Sequence, residues 1–200
     1  MLFDLKNGLI TLVYGPAASG KTTIAFETIL NYAKDGRVLF IDSENGFSAD
    51  RLKQLDPGCD GLLENVVVLN IKNFSEQVQV FDNLETLMKV GKFGAIIIDT
   101  LGMQYRKALQ EENHQYVNEK IFGGLNKLRK IAFRNDIPVL ILNQIYTKPD
   151  GENVGVGGNM VRNFGKYLIE LKKNPRRAVM LKPLGDIVHF EIHNSGIKKI

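Results

Sequence analysis

The amino-acid sequence predicts an α/β fold, with a mostly parallel central sheet and helices on both of its faces. Apolar runs of strand type at residues 9–14 and 37–42 enclose a helical pattern that begins near Thr22. A strand, a helix and a strand within about thirty residues form a βαβ unit, which requires parallel strands. The run GAIIID at residues 94–99 has the continuous apolar character of a central parallel strand.

The next elements follow from turn signals and short apolar runs. Residues 50–55 are predicted as a short helix that ends at Asp-Pro-Gly, residues 56–58, and residues 66–69 as a strand. Ser75 is predicted to cap the following helix, with Glu76 in its first turn. That reading leaves no reciprocal capping box, because the residue three positions after Ser75 is a valine.

The second half of the chain ends in a different pattern. A polar segment at 101–118 precedes a helix that runs to about Arg134, and residues 138–142 form another buried strand. Glycine-rich residues 147–158 are predicted as a mobile loop. Three further strands with short connections, and therefore antiparallel, are predicted at 166–171, 178–181 and 187–192.

Composition excludes several classes of protein. The chain has 200 residues and 44% hydrophobic content, which suits one domain with a substantial core. A single cysteine, Cys59, excludes a disulfide framework, and the three histidines are too dispersed to predict a metal site. The N-terminus has no signal-peptide pattern and no window is apolar enough to cross a bilayer, so we expect a cytoplasmic protein. The net charge of +4 is compatible with a nucleic-acid partner but does not establish one.

One glycine-rich stretch matches the formula of a phosphate-binding loop at every fixed position. Glycines let successive backbone amides turn inward around an anion, and the helix that follows presents unpaired amides to it. The lysine would contact the β- and γ-phosphates, and the first threonine would complete a Mg²⁺ site. The stretch comprises Gly15, Pro16, Ala17, Ala18, Ser19, Gly20, Lys21, Thr22 and Thr23.

Polar side chains follow three of the predicted strands, where ligands bind in open parallel sheets. Asp99 ends the strand IIID and would hold Mg²⁺, although a simple helix cap is the alternative. Glu44 could activate a water molecule as a general base, or could be an ordinary surface residue. Gln144 carries an amide that could sense a γ-phosphate, and the residues alone leave that role open.

This combination resembles the RecA family of ATPases, and within it the archaeal RadA and RadB recombinase group. The resemblance implies a RecA-like P-loop ATPase core that uses ATP and Mg²⁺. It further implies that Glu44 is the catalytic base, that Gln144 is the γ-phosphate sensor and that Arg51 stacks on adenine. The matching segments, in chain order, are LVYGPAASGKTT, VLFIDSENGFSADRL, GAIIIDT, QYR, IPVLILNQI, VGGNMVRNFGKYLIEL and FEIHNSGI.

The same resemblance places two loops against DNA, the first starting at Tyr105 and the second at residues 147–158. A predicted hairpin tip around Asn174-Pro175 adds four cations, which either bind DNA phosphates or form a charged edge that blocks strand pairing. The candidate DNA-binding residues are Arg106, Lys107, Lys148, Lys172, Lys173, Arg176 and Arg177.

The resemblance implies an ATP-binding, weakly hydrolysing accessory of homologous recombination, with single-stranded DNA and a main recombinase as partners. The first predicted strand begins after eight residues. We therefore expect a single domain over residues 1–200, without the N-terminal DNA-binding domain or polymerisation segment of full recombinases. Two alternatives stay open: a nucleotide-gated partner of the recombinase without meaningful turnover, and a signalling ATPase similar to KaiC that does not act on DNA.

Overall fold

The computed structural model describes residues 1–147 and 153–200. Its strands are β1 (Ile10–Gly15), β2 (Arg37–Asp42), β3 (Val66–Asn70), β4 (Phe93–Asp99), β5 (Val139–Thr147), β6 (Asn153–Gly155), β7 (Tyr167–Lys172), β8 (Arg177–Lys182), β9 (Leu184–His193) and β10 (Gly196–Lys199). Its helices are α1 (Lys21–Tyr32), α2 (Ala49–Leu55), α3 (Asp60–Leu63), α4 (Phe74–Gly91), α5 (Gly102–Glu111), α6 (His114–Asn135) and α7 (Gly158–Arg162).

The strands form one sheet in the order β10-β9-β8-β7-β1-β5-β4-β2-β3, and β6 pairs with β5 outside this order. Every neighbouring pair from β7 to β3 is parallel. The pairs β7–β8, β8–β9 and β9–β10 are antiparallel. The predicted fold class, a mostly parallel sheet with antiparallel C-terminal strands, is confirmed.

Two hydrophobic cores cover the two faces of the sheet. Successive side chains of a strand point to opposite faces, so Leu39 and Ile41 of β2 join the core under α4, α5 and α6. Val38 and Phe40 alternate with them and join the core under α1. Because both faces are covered, the central strands contain nearly continuous apolar runs, and these runs are the pattern from which the sequence predicted them.

The N-cap of α4 is Asn73, so the prediction of Ser75 was wrong. The Asn73 side chain accepts a hydrogen bond from the backbone amide of Glu76 over 2.9 Å. The Glu76 carboxylate in turn accepts from the amide of Lys72 over 2.8 Å. Asparagine caps helices as well as serine does. Asn73 has a glutamate three residues later, as in a capping box, whereas Ser75 has a valine at that position.

Two predicted irregular segments contain regular structure. The polar stretch 101–118 is helical over α5 and the start of α6, because tertiary contacts bury Gln104, Tyr105 and Ala108. Strand β5 continues to Thr147, past its predicted end, and β6 lies within the predicted loop 147–158. The final strand, β10, was not predicted.

Helix α6 is the longest helix, with 22 residues, and it carries charged residues along its length. Within the ranges 1–147 and 153–200, no helix combines the length and apolar character that a membrane span requires.

Helix α6 approaches α4 closely at Gly124. A Cβ atom added there would lie 2.0 Å from Cδ2 of Phe81, whose side chain is fully buried. We therefore expect Gly124→Ala to lower the free energy of unfolding by about 1–3 kcal/mol, because an overpacked core costs that much. Urea denaturation measures the change.

The matched control is Gly123→Ala, one position away in the same helix. A Cβ atom at Gly123 meets nothing within 4 Å. Alanine should therefore raise the free energy of unfolding by about 0.5–1 kcal/mol through its better helix propensity. Equal stabilisation by both substitutions would contradict the close approach of α4 and α6.

Candidate functional site

The loop between β1 and α1 has the backbone conformation that an anion site needs. Gly20 precedes α1 with φ of 108°, and Ala18 also has positive φ, at 56°. No side chain caps the first turn of α1, so its amides are available to a ligand. The Ser19 hydroxyl is buried and has no hydrogen-bond partner in the described part of the chain. The predicted phosphate-binding loop therefore leaves the first amides of α1 and the Ser19 hydroxyl available as hydrogen-bond donors at the start of that helix.

Lys21 is 8% exposed and turns back over the loop. Its Nζ donates to the carbonyl oxygens of Gly15, at 2.9 Å, and Pro16, at 2.8 Å. Burial lowers the pKa of the Lys21 ammonium, whereas the nearby carboxylates of Asp99 and Glu44 oppose that shift. The ammonium therefore holds the loop in shape and contributes positive charge to the space in front of it.

Thr22 and Asp99 are brought together, as the sequence predicted. The Thr22 Oγ1 donates to Oδ2 of Asp99 over 3.0 Å. Asp99 is 3% exposed, and its Oδ1 has no hydrogen-bond partner among the described residues. Burial raises the pKa of Asp99 to about 7, the charge of Glu44 adds to the rise, and the hydrogen bond from Thr22 opposes it.

These oxygen atoms fit Mg²⁺, which prefers one or two protein ligands and completes its shell with water and phosphate. The unpaired Oδ1 of Asp99 and the hydroxyl of Thr22 are hard donors of that kind. Among the described residues, no group of three or more His, Cys, Asp or Glu side chains could hold a metal ion by itself. The site is thus suited to a cation that arrives with a phosphate ligand.

Glu44 and Gln144 line the same space and are hydrogen-bonded to each other. The Gln144 Nε2 donates to Oε1 of Glu44 over 2.5 Å, and Oγ1 of Thr100 donates to the same oxygen over 2.9 Å. Oε2 of Glu44 accepts no hydrogen bond within the described ranges, and the side chain is exposed. Glu44 therefore has one oxygen that is held in place and one that faces solvent.

These groups enclose a cavity of about 350 Å³ at the carboxyl ends of the strands. Arg51 does not line it. Its guanidinium donates to the carbonyl oxygens of Asn194, at 2.9 Å, and His193, at 3.3 Å, and the predicted contact with adenine stays a prediction. The lining residues are Ala17, Ala18, Gly20, Lys21, Thr22, Thr23, Glu44, Asp99, Gln144 and Ile192.

Four residues that shape the site were missed in the sequence. The Asp42 carboxylate accepts from the backbone amides of Glu44, Gly46 and Phe47 over 2.9–3.2 Å and so fixes the turn that carries Glu44. Asp42 carries the same signal as Asp99, because a carboxylate ends an apolar strand. The other three missed residues are Ser43, Thr100 and Asn143.

Asn143 is buried beside the predicted sensor. Its Nδ2 donates to the carbonyl oxygen of Val156 over 2.7 Å, and its Oδ1 accepts from the amide of Gln144 over 3.1 Å. The amide of Val156 donates to the carbonyl oxygen of Gln144 over 2.9 Å. The chain beyond residues 148–152 is therefore bonded directly to the strand end that carries Gln144.

The predicted DNA-binding residues lie in two places. The start of the first predicted DNA loop is helical, because it lies in α5. Arg106 and Lys107 are exposed on that helix. Arg106 also lines a second cavity of about 550 Å³, together with Tyr105, Leu109 and residues 156–158. Lys148 lies outside the described residues. Lys172, Lys173, Arg176 and Arg177 surround the β7–β8 turn, and Arg176 contacts the phosphate-binding loop. The contact of these residues with DNA stays a prediction.

Comparisons with known proteins identify the family to which the chain is similar. The Rad51 family model matches residues 3–195. The DNA repair and recombination protein RadB of Methanocaldococcus jannaschii is 29% identical over 208 residues, which cover 100% of this chain and 97% of that protein. The protein of the same name from Thermococcus sibiricus is 31% identical over 211 residues, covering 98% and 89%.

A solved structure, the crystal structure of the RadB recombinase, is similar to nearly the whole of this chain. It has a TM-score of 0.82 and 28% sequence identity, over 98% of this chain and 92% of that one. The predicted resemblance to the RecA family and its RadA and RadB group is thereby confirmed. Because the family model spans nearly the whole sequence, the chain belongs to the Rad51 family.

Proposed function

We propose that this protein binds ATP with Mg²⁺, hydrolyses it slowly and acts on DNA in repair and recombination as an accessory to a main recombinase. The observation that carries the proposal is the convergence of Lys21, Thr22, Asp99, Glu44 and Gln144 on one cavity. The names of the relatives, DNA repair and recombination protein RadB, support the biological context.

The phosphates of ATP would lie against the start of α1. The free amides of the first helical turn and the Lys21 ammonium both favour negative charge there. Thr22 and Asp99 would hold Mg²⁺, which when bound neutralises charge on the β- and γ-phosphates. Lys21 and the loop amides would stabilise the charge that develops on the phosphate oxygens during hydrolysis.

Glu44 would orient the attacking water through Oε2, since Oε1 is already bonded to Thr100 and Gln144. The exposure of Glu44 supports slow turnover, because water-filled sites weaken electrostatic stabilisation. A γ-phosphate would compete with Glu44 for the amide of Gln144. That change would be transmitted through Asn143 to Val156, at the far side of the second predicted DNA loop.

A second function has one observation in its favour. Oε1 of Glu44 is engaged by two donors, an arrangement that also suits a carboxylate which only reports nucleotide occupancy. The protein would then be a nucleotide-gated partner of a recombinase, without meaningful turnover.

Substitution of Glu44 separates these two functions. We expect Glu44→Gln to bind ATP within about threefold of the wild type and to hydrolyse it about 10²-fold more slowly, because it loses the general base. Lys21→Ala should lose ATP binding itself, since it removes the charge and loosens the loop. Equilibrium binding of a fluorescent ATP analogue and phosphate release measure the two effects.

The control is Glu64→Gln, which alters an exposed glutamate that does not line the cavity. It should leave both measurements unchanged. If Glu44→Gln hydrolyses ATP at the wild-type rate, the assignment of Glu44 as the base is wrong.

The raised pKa of Asp99 predicts a dependence of stability on pH in the absence of nucleotide and Mg²⁺. The folded pKa, about 7, exceeds the ordinary value of 3.8, so the folded state binds this proton more tightly. The stabilisation is complete below about pH 4 and is lost as pH rises through 7, by at most about 1.4 kcal/mol per pH unit. Urea denaturation in a chelator should show this loss in the wild type.

Asp99→Asn provides the comparison, because an amide does not titrate. From pH 5 to pH 8, the unfolding free energy of the wild type should fall relative to that of the variant. A difference that is constant over this range would show that Asp99 is ionised throughout.

DNA binding should depend on the nucleotide. We expect single-stranded DNA to bind with a salt-sensitive affinity that differs between ADP and a non-hydrolysable ATP analogue, as measured by fluorescence anisotropy. Gln144→Ala should remove this difference, because it removes the donor that would sense the γ-phosphate. Gln115→Ala, an exposed glutamine on α6, should retain it.

Arg106→Ala tests the surface of α5 in the same assay. Loss of one phosphate contact should weaken binding and reduce the salt slope by about 0.7. If DNA does not bind in any nucleotide state, the DNA part of the proposal fails and a signalling ATPase becomes the better interpretation.

A further inference from the structure

The turn between β7 and β8 reaches back to the phosphate-binding loop. Nη1 of Arg176 donates to the carbonyl oxygen of Ala18 over 2.9 Å. Ala18 lines the phosphate cavity and has positive φ, at 56°. Its carbonyl is therefore held by a guanidinium 158 positions further along the chain, at a point of the loop where a non-glycine residue has positive φ.

Strand β9 fixes Arg176 beside that loop from a second side. The amide of Phe190 donates to the carbonyl oxygen of Arg176 over 3.2 Å. A Cβ atom added to Gly20 would lie 2.9 Å from Cδ1 of Ile192 and 3.6 Å from Cε2 of Phe190. The backbone of Arg176 is thus anchored through a buried aromatic residue that packs against the start of α1.

The same turn brings positive charge to the cavity. Lys173 lies in that turn, directly after the end of β7, and its side chain is exposed. Within residues 1–147 and 153–200, neither Lys173 nor Arg176 forms an ion pair with a carboxylate. Lys172 differs, because its Nζ lies 3.4 Å from Oε2 of Glu170. Two cations without a carboxylate partner in the described ranges thus lie in a turn that contacts the phosphate-binding loop, and their charge favours an anion in the adjacent cavity.

We propose that Arg176 is a positioning residue of the nucleotide site, which holds the phosphate-binding loop through Ala18 and, together with Lys173, strengthens binding of the nucleotide phosphates. This inference rests on the proposed nucleotide-binding function. It assigns Arg176 and Lys173 to the nucleotide bound by the same molecule, in place of the DNA backbone. Arg176 contacts Ala18, and Ala18 lines the cavity that would hold the nucleotide phosphates.

The test measures the dissociation constants of ATP and ADP with Mg²⁺ by calorimetry, at low and moderate salt. Arg176→Ala should weaken both nucleotides by roughly five- to twentyfold, as expected for a lost charge-assisted hydrogen bond. Lys173→Ala should weaken ATP by roughly threefold more than ADP, because a point charge acts in proportion to the phosphate charge. Arg176→Lys should recover part of the loss by restoring the charge.

Lys172→Ala is the matched control, since it removes a cation from the same turn whose partner is Glu170. It should leave both dissociation constants unchanged. For Lys173→Ala the decisive readout is a change in the ratio of ATP to ADP affinity, because a loop that was merely destabilised would lose both nucleotides equally. For Arg176 it is the recovery of affinity in Arg176→Lys, because the recovered affinity follows the charge that holds the loop. Lys173 is exposed at the turn, so Lys173→Ala keeps the test valid even if Arg176→Ala folds poorly.

Two results would overturn the inference. If the variants bind nucleotides like the wild type but lose affinity for single-stranded DNA, the turn is a DNA-binding surface. If they change neither affinity, the four cations only protect the edge of the turn. Failure of the wild type to bind nucleotide would instead remove the proposed function, and the inference with it.

Discussion

The parallel register of four neighbouring strands is the constraint on which the site depends. In that register Gly15 at the end of β1 is the partner of Gln144 in β5, and Asp42 at the end of β2 is the partner of Asp99 in β4. The predicted phosphate-binding loop, the predicted sensor Gln144 and the predicted metal ligand Asp99 therefore lie at one edge of the sheet. A shift of one residue in any strand would turn these side chains into the opposite core.

A layer of buried hydrogen bonds preserves this arrangement past the ends of the strands. The Ser43 hydroxyl donates to the carbonyl oxygen of Thr100 over 2.6 Å and accepts from its amide over 3.0 Å. The buried Gln104 amide then donates to the carbonyl oxygen of Ser43 over 3.3 Å. Since unpaired polar groups are costly in a protein interior, these bonds fix the segments that carry Glu44 and Asp99. Helix α5, with Arg106 on its surface, is joined to the cavity through the same bonds.

Local sequence signals predicted the parallel strands and most of the residues that line the cavity, because each depends on a short pattern. They did not predict α5, whose outer face is polar and whose helical state depends on burying Gln104 and Tyr105. They also left the surroundings of Arg51 and Arg176 unknown. Arg51 bonds to carbonyls 142 and 143 positions away and Arg176 to one 158 positions away, separations that no local pattern encodes.

The antiparallel strands extend the sheet, and one of them, β9, also lines the cavity proposed for the nucleotide. Ile192 of β9 lines the cavity, and the amide of Ile197 in β10 donates to Glu27 of α1 over 2.6 Å. Helix α1 is thus held by the loop at its start and by the last strand on its side. A ligand that binds only this assembled form stabilises both ends of the chain together. The proposed nucleotide binding would therefore be linked to docking of the C-terminal strands, and each would strengthen the other by the same free energy.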